Sequence, residues 1–274
     1  GGPISGFLLG IHALGLAGWQ WLFIGEGLPA VALGFVVLAY LPDGPSCAKW
    51  LSPDEREWVE RRVRAERELT RKKESAGDGQ AIRAVLLLAA LYFLIVMPGY
   101  GVSLWMPILI KKLTSTSNLV VGLLTAVPYI ASATSLVLVG MHSDARQERR
   151  MHVGFACLAG MAGILLAAHL HNPWLGIAAL ALAAAGTNGT MGPFWSMPTS
   201  VLSGRAAAVG IAVINSVGNL GGFAGPFLVG MLKGKTGSYT PGLWVLAGSL
   251  LAAAVLSLAI PLSGSHYRGA AAHE

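Results

Sequence analysis

The sequence predicts an all-α membrane protein, and three features carry that prediction. Of its 274 residues, 54% are hydrophobic and only 12% charged, against about 25% charged in soluble domains, and the mean hydropathy is +0.62. The apolar residues come in runs, at 19–41, 82–110, 119–141, 152–169, 173–202, 206–232 and 242–262, most of them near or above the ~20 residues that a helix needs to cross a bilayer. Most of the charge is gathered into one stretch, 52–83, which no bilayer could hold. The content of 36 glycines and 14 prolines suits closely packed and kinked membrane helices.

Taken in order, the chain opens Gly1-Gly2-Pro3 with no basic n-region and no cleavage site, so this is no signal peptide. The apolar stretch 6–16 is too short to span and reads as the end of a helix that begins upstream. The run 19–41 is long enough. It starts with the interfacial pair Trp19 and Trp21 and stops at Pro42-Asp43-Gly44-Pro45. In the charged stretch, Ser52 is placed to cap a helix with Pro53 at its first position and Asp54, Glu55 and Glu57 in the first turn, while Arg71, Lys72 and Lys73 close the last. Pairs four apart, Glu57 with Arg61, Glu60 with Arg64 and Glu68 with Lys72, support it by ~0.3 kcal/mol each. Trp58, Val59, Val63 and Leu69 leave a thin apolar stripe, the pattern of a water-exposed or membrane-surface helix followed by a Gly/Ser linker. Six further spans follow. The expected organisation is therefore the end of one helical bundle (1–41), a central loop with an amphipathic helix (42–81), a six-helix bundle (82–263) and a tail (264–274).

The net charge of +6 would suggest a nucleic-acid partner in a soluble protein, but here the basic residues flank spans, and orientation explains them. Placing 52–83 in the cytoplasm puts the 142–152 loop, Arg205 and Arg268 on the same side. Fifteen of the nineteen lysines and arginines then lie there, against Lys111, Lys112, Lys233 and Lys235 opposite. The tail is expected in the cytoplasm. Cys47 lies in a loop and Cys157 in a span, so neither a disulfide framework nor a thiolate metal site is expected. His142 and His152 flank the 142–152 loop, His169 and His171 end a span, and their spacing fits no metal. No cofactor is expected.

The stretch GMHSDARQERR at 140–150 resembles the loop motif of the major facilitator superfamily, a Gly-x-x-x-Asp followed by basic residues between two helices. Gly140 would let one helix end approach its neighbour. Asp144 would sit at a helix N-terminus or pair with an arginine across the interface, as a latch that breaks when bundles rock, with Arg146, Arg149 and Arg150 as the basic cluster. The motif's usual arginine directly after the aspartate is Ala145 here. More narrowly, LAGWQWLFIGEGLPA at 16–30, WLSPDER at 50–56, 92–107, GLLTAVPY at 122–129 and INSVGNLGG at 214–222 resemble the anion:cation symporter family, in particular its bacterial carriers of tartrate, phthalate and sugar acids. The resemblance implies twelve helices in two bundles, of which this chain would hold the end of the fifth and then the sixth to the twelfth, in a bacterial inner membrane. It also implies coupling of anion uptake to protons, an N-terminal bundle as partner, and Tyr100 as a substrate-facing tyrosine.

Polar residues repeated on one helical face mark a candidate pathway, because burial in a span is costly. Tyr92, Gly99, Tyr100 and Ser103 recur beside Pro98; Thr125, Tyr129 and Ser132 share a face; so do Asn188, Gly192, Trp195 and Thr199; and so do Asn215, Asn219, Gly222 and Pro226. Of these, Tyr100, Tyr129, Asn188, Trp195, Thr199, Asn215 and Asn219 are the candidate substrate residues. The competing reading is that hydroxyls such as Thr125 and Ser132 bond their own helix, and that the glycines of 218–225, with Gly221-x-x-x-Gly225, pack helices. An asparagine is expected to lack so cheap a local partner. Glu26 is the one carboxylate deep in a span, either a proton carrier or a structural hydrogen-bond partner. The spans hold no deep lysine, arginine or aspartate, so the resemblance leaves the charged half of a site to the upstream bundle. The expected function is a proton-coupled symporter of small organic carboxylates working by alternating access. A non-transporting receptor or scaffold, or a chain inactive by itself, stays open. An enzyme is not expected, for there is no HExxH, no GxSxG and no intramembrane acid pair.

Overall fold

The computed structural model of the chain describes residues 2–73, 78–202 and 204–260. Side chains are described except at 2–3, 66–67, 69–73, 78–81 and 204–206, so the expected tail 264–274, the linker at 74–77, Leu69, the Glu68/Lys72 pair and the Arg205 and Arg268 side chains lie outside the described residues. The chain divides into two compact units, 1–76 and 77–274. Every regular element among the described residues is helical. Seven helical stretches among the described residues are long and apolar enough to cross a membrane, one in the first unit and six in the second. This is a multi-pass membrane protein.

In the first unit, α1 (Gly2–Leu8) is followed by α2 (Gly18–Tyr40), a 3-10 turn (Pro45–Cys47) and α3 (Pro53–Lys73). The stretch 6–16, expected as the end of a continuous helix, is mostly not helical. The helix stops at Leu8, and the chain reverses through Leu14 and Gly15 at φ 56° and 73°, a left-handed pair that no α-helix accommodates and that Gly15 takes without steric cost. α1 returns onto α2, where Ser5 Oγ donates to Glu26 Oε1 at 2.7 Å. The start of α3 forms a capping box. The Ser52 amide and hydroxyl donate to Glu55 Oε2 at 2.9 and 2.8 Å, and the Glu55 amide returns to Ser52 Oγ at 3.3 Å. The Ser52 amide first, and then its hydroxyl, hold the Glu55 carboxyl below its usual range. Glu57 and Glu60 pair with Arg61 and Arg64 at 3.7 and 3.0 Å, and Arg62 lies over the Trp58 ring.

The second unit contains α4 (Asp78–Thr114), α5 (Asn118–Arg146), α6 (Arg150–His169), α7 (Pro173–Gly189), α8 (Met191–Val201), α9 (Gly204–Thr236) and α10 (Thr240–Ala259). α4 starts within the stretch expected to be loop, four residues before 82, because nothing between Asp78 and Ile82 breaks a helix once Gly79 is accommodated. The run 173–202, expected as one helix, is interrupted at Thr190. Pro193 has no N–H to offer the Gly189 carbonyl, so the ladder lapses there and α8 restarts.

Glycines set the distances between these helices. On α9, Gly218 lies against the Tyr92 ring, Gly221 would place a Cβ 2.6 Å from the Phe93 carbonyl oxygen, and at Gly225 a Cβ would collide with the Met97 carbonyl, so α4 and α9 touch backbone to backbone. Gly163 and Gly186 do the same between α6 and α7. Around these contacts Leu88, Ile95, Ile164, Phe194, Leu246 and Leu250 are fully buried.

Inside α4, Pro98 has no amide hydrogen for the carbonyl four residues back, that of Leu94. A carbonyl stranded in a membrane costs free energy, and here Ser249 Oγ from α10 donates to Leu94 O at 2.8 Å. Ser249→Ala is expected to destabilise the chain by ~1 kcal/mol, read as a lower melting temperature in detergent. In a Pro98→Ala background, where the helix supplies its own donor, that loss should largely vanish. Equal losses in both backgrounds would show that Ser249 acts otherwise.

Candidate functional site: a neutral cavity and a charged connection

A cavity of about 350 Å³ opens between α4, α5, α7–α8 and α9. One wall is the α4 face predicted from spacing, with Tyr92, Gly99, Tyr100 and Ser103. Tyr129 and Ser132 of α5, Thr187 and Asn188 of α7 and Asn219 of α9 complete the polar lining, and the remainder includes Ile95, Val96 and Met106. The lining carries no charged side chain. Ser103 Oγ and Tyr129 OH lie 2.7 Å apart, tying α4 to α5 across the cavity. Tyr100 and Tyr129 remain 55% and 48% exposed, so their rings face an open space.

Of the seven candidate substrate residues, Tyr100, Tyr129, Asn188 and Asn219 meet at this cavity; Trp195, Thr199 and Asn215 are not among its lining. Trp195 packs edge-on against Tyr92 and Phe194, with centroids 5.0 and 5.3 Å away, and so supports the Tyr92 wall from behind. The Thr199 hydroxyl donates to the Ser196 carbonyl of its own helix. Asn215 receives Asn219 Nδ2 on both its backbone carbonyl and its Oδ1, each at 2.8 Å. This corrects the expectation that asparagines lack a local partner. A carboxamide reaches the carbonyl four residues back, as Asn188 also does to Ala184 at 3.1 Å. Thr125 bonds the Val121 carbonyl of its own helix, whereas Ser132 lines the cavity.

The second site is the connection from α5 to α6. Gln147 takes the left-handed conformation, φ 51°, and ends α5. Arg149 pairs with Asp144 and donates to Ser143 Oγ at 2.9 Å, while Ser143 donates to the Glu148 carbonyl. The Glu148 carboxylate then accepts from the Met151 amide at 2.8 and 3.0 Å and from the His152 amide at 3.3 Å, capping the start of α6.

The sequence can now be set beside known proteins. The family model described as Major Facilitator Superfamily matches residues 1–226. The chain belongs to the Major Facilitator Superfamily. A protein of Agrobacterium vitis named for tartrate transport is 45% identical over 262 residues, 95% of this chain and 60% of that protein. A quinolone resistance transporter of Acinetobacter baumannii is 37% identical over 93% of this chain and 60% of its own length. The chain thus spans about 60% of the length of the curated relatives it matches. In fold, it is similar to a bacterial homologue of the human lysosomal transporter Spinster in an inward-facing, occupied conformation, with a TM-score of 0.51 and 17% identity, covering 94% of this chain and 61% of that one.

In this Major Facilitator Superfamily chain the expectation for Asp144 is corrected: it stands in the last turn of α5, not at a helix N-terminus, and its arginine is local, not across an interface. It is Arg149, while Arg146 stands exposed in the last turn of α5 and Arg150 opens α6. A Cβ on Gly140 would meet nothing within 4 Å; the close approach at this point belongs to Gly192, whose Cβ would come 3.2 Å from the Gly140 Cα. Spacing alone missed the bond between Ser103 and Tyr129, since two positions 26 residues apart give no periodic signal. It also missed that His142 and His152 touch. A histidine at each end of a short connection was the available clue.

Burial works to raise the Glu148 carboxyl, but the Met151 amide and the His152 ring and amide outweigh it and hold it below the usual carboxylate range. Its folded value is therefore below its unfolded one. The stabilisation is fully present above the unfolded carboxylate range and is lost as pH falls through the folded value. Glu148→Gln should flatten the acid limb of the stability profile, measured as melting temperature from neutral pH down to about pH 3, with the largest difference from wild type at neutral pH.

Proposed function

We propose that the chain is the C-terminal part of a secondary transporter that carries small organic anions, such as tartrate, phthalate or sugar acids, together with protons by alternating access. The observation that carries this reading is the uncharged cavity walled by Tyr100, Tyr129, Asn188 and Asn219, set in a six-span unit of a chain 45% identical to a protein named for tartrate transport. A carboxylate leaving water for such a lining gains hydrogen bonds and aromatic contact from this half. Its charge is met by the N-terminal bundle of the whole protein. Substrate lies between the bundles near the midplane, and the 140–150 latch forms and breaks as they rock, with Asp144 held by Arg149 within the loop. Glu26, accepting from Ser5, is the proton-carrier candidate within this chain. The protein sits in a bacterial inner membrane, with the 142–152 loop and the tail in the cytoplasm.

The test is uptake of labelled tartrate, phthalate and sugar acids into vesicles by the whole protein carrying this chain, with and without an imposed proton gradient. Flux that rises with the gradient is the expected result. Binding without flux turns the reading into a receptor. Asn219→Ala and Tyr100→Ala should each cut uptake at least ~10-fold, the loss of ~1.4 kcal/mol of binding to the carried state, at unchanged membrane abundance. Wild-type uptake by both removes the cavity from the pathway. Asp144→Asn should slow turnover more than it weakens substrate binding, measured by comparing exchange rate with equilibrium affinity.

A further inference from the structure

We infer that His142, His152 and Glu148 form a proton-binding site that fastens the end of α5 to the start of α6 and releases it on taking up a second proton. His152 Nδ1 lies 2.9 Å from Glu148 Oε2, and His152 Nε2 lies 2.7 Å from His142 Nδ1. The carboxylate only accepts, because the Met151 and His152 amides already donate to it, so His152 Nδ1 carries a hydrogen. When both rings are neutral, His152 Nε2 is therefore bare and accepts from His142 Nδ1–H.

One added proton reverses that bond without breaking it. It binds at the exposed His142 Nε2 while the Nδ1 hydrogen of His142 crosses to His152 Nε2; His152, between the carboxylate and the neighbouring ring, then carries the charge and donates from Nε2–H to the bared His142 Nδ1. A second proton gives each facing nitrogen a hydrogen. Two donors cannot share a 2.7 Å contact, and two like charges meet there, so the rings part. The outward ring, His142, is exposed, whereas His152 is half-buried, so water reaches the site from the His142 side.

The surroundings determine where the charge rests. His142 lies in the last turns of α5 and His152 in the first turn of α6, so the helix ends favour a cation on the former and oppose it on the latter. Glu148 reverses that preference for His152. Asp144 is paired with Arg149, and Arg146 and Arg150 stand on the same connection. From α10, packed on α6, the group that arrives is the neutral Ser257 hydroxyl, on the Arg150 carbonyl. α7, α8 and α10 carry no titratable side chain, and the groups of α4 in its first turns are Asp78 and Arg83. The lowered Glu148 carboxyl keeps the acceptor charged throughout the range in which imidazoles titrate.

The test is long-range proton–nitrogen NMR on the histidine-labelled chain in lipid nanodiscs, with amide exchange over 143–151, between about pH 8 and pH 5, where imidazoles change charge. At the alkaline end both rings should be Nδ1–H tautomers, the minority form of a free imidazole. On acidification His152 should become doubly protonated while His142 switches to Nε2–H. Only then should both be charged, with exchange protection across 143–151 falling about tenfold, or ~1.4 kcal/mol. An Nε2–H tautomer of either ring at the alkaline end, or protection that never changes, overturns the proposal. His142→Gln should leave His152 as Nδ1–H and remove the step in protection, and a retained step also overturns it. Should that variant not fold, the tautomers of the wild type decide by themselves.

Discussion

The contact on which the second unit depends is the meeting of α4 and α9 without intervening side chains. Lipid is as apolar as leucine, so membrane helices gain little from hiding apolar surface in one another and must associate through close contact. Gly221 and Gly225 permit that contact at Phe93 and Met97. Gly218 and Gly222 then receive the rings of Tyr92 and Tyr100, and this lodging is what presents the two tyrosines along one wall. Asn219, between these glycines in sequence but off their face, is left in the open space. One stripe of small residues thus packs the helices, seats the aromatics and exposes the amide.

The cavity's polar groups are partly committed before any ligand arrives. Asn188 and Asn219 spend an amide hydrogen on carbonyls of their own helices, and Ser103 and Tyr129 share a bond. What remains for a guest is a set of neutral dipoles, the Tyr100 hydroxyl and the Ser132 hydroxyl among them. Dipoles of this kind orient a carboxylate but do not repay the loss of its water. In the transport reading proposed above, this unit sets shape and orientation rather than charge.

Most of the fold was legible because the membrane makes hydrophobic runs long and their interruptions conspicuous. The seven spans, the helix cap at Ser52 and the α4 face through Tyr92, Tyr100 and Ser103 follow from run length, capping residues and 3.6-residue spacing. The turn at Leu14 and Gly15 did not, since apolar residues in a reversal look like apolar residues in a helix. The lapse at Thr190 was written in Pro193 and went unread because the apolar run continues across it. In the site, spacing found the tyrosines and Asn219 but grouped Trp195 and Thr199 with them; periodicity names a face, and only the neighbouring helix decides whether that face is cavity or core. Asn215 was misjudged for a different reason, the reach of an asparagine side chain along its own helix.

The bond from Ser249 to the Leu94 carbonyl also constrains how the bundle moves. A proline normally makes its helix easy to bend, since one rung of the ladder is already gone. Here the missing rung is supplied by a neighbour, so a swing of α4 about Pro98 that carries Leu94 away from α10 must break a bond within an apolar setting. Bending in which α10 follows costs nothing of the kind. The joint is therefore stiffer in one direction than in the other, and α10, though it contributes nothing to the lining of the cavity, is tied to the helix that forms one of its walls.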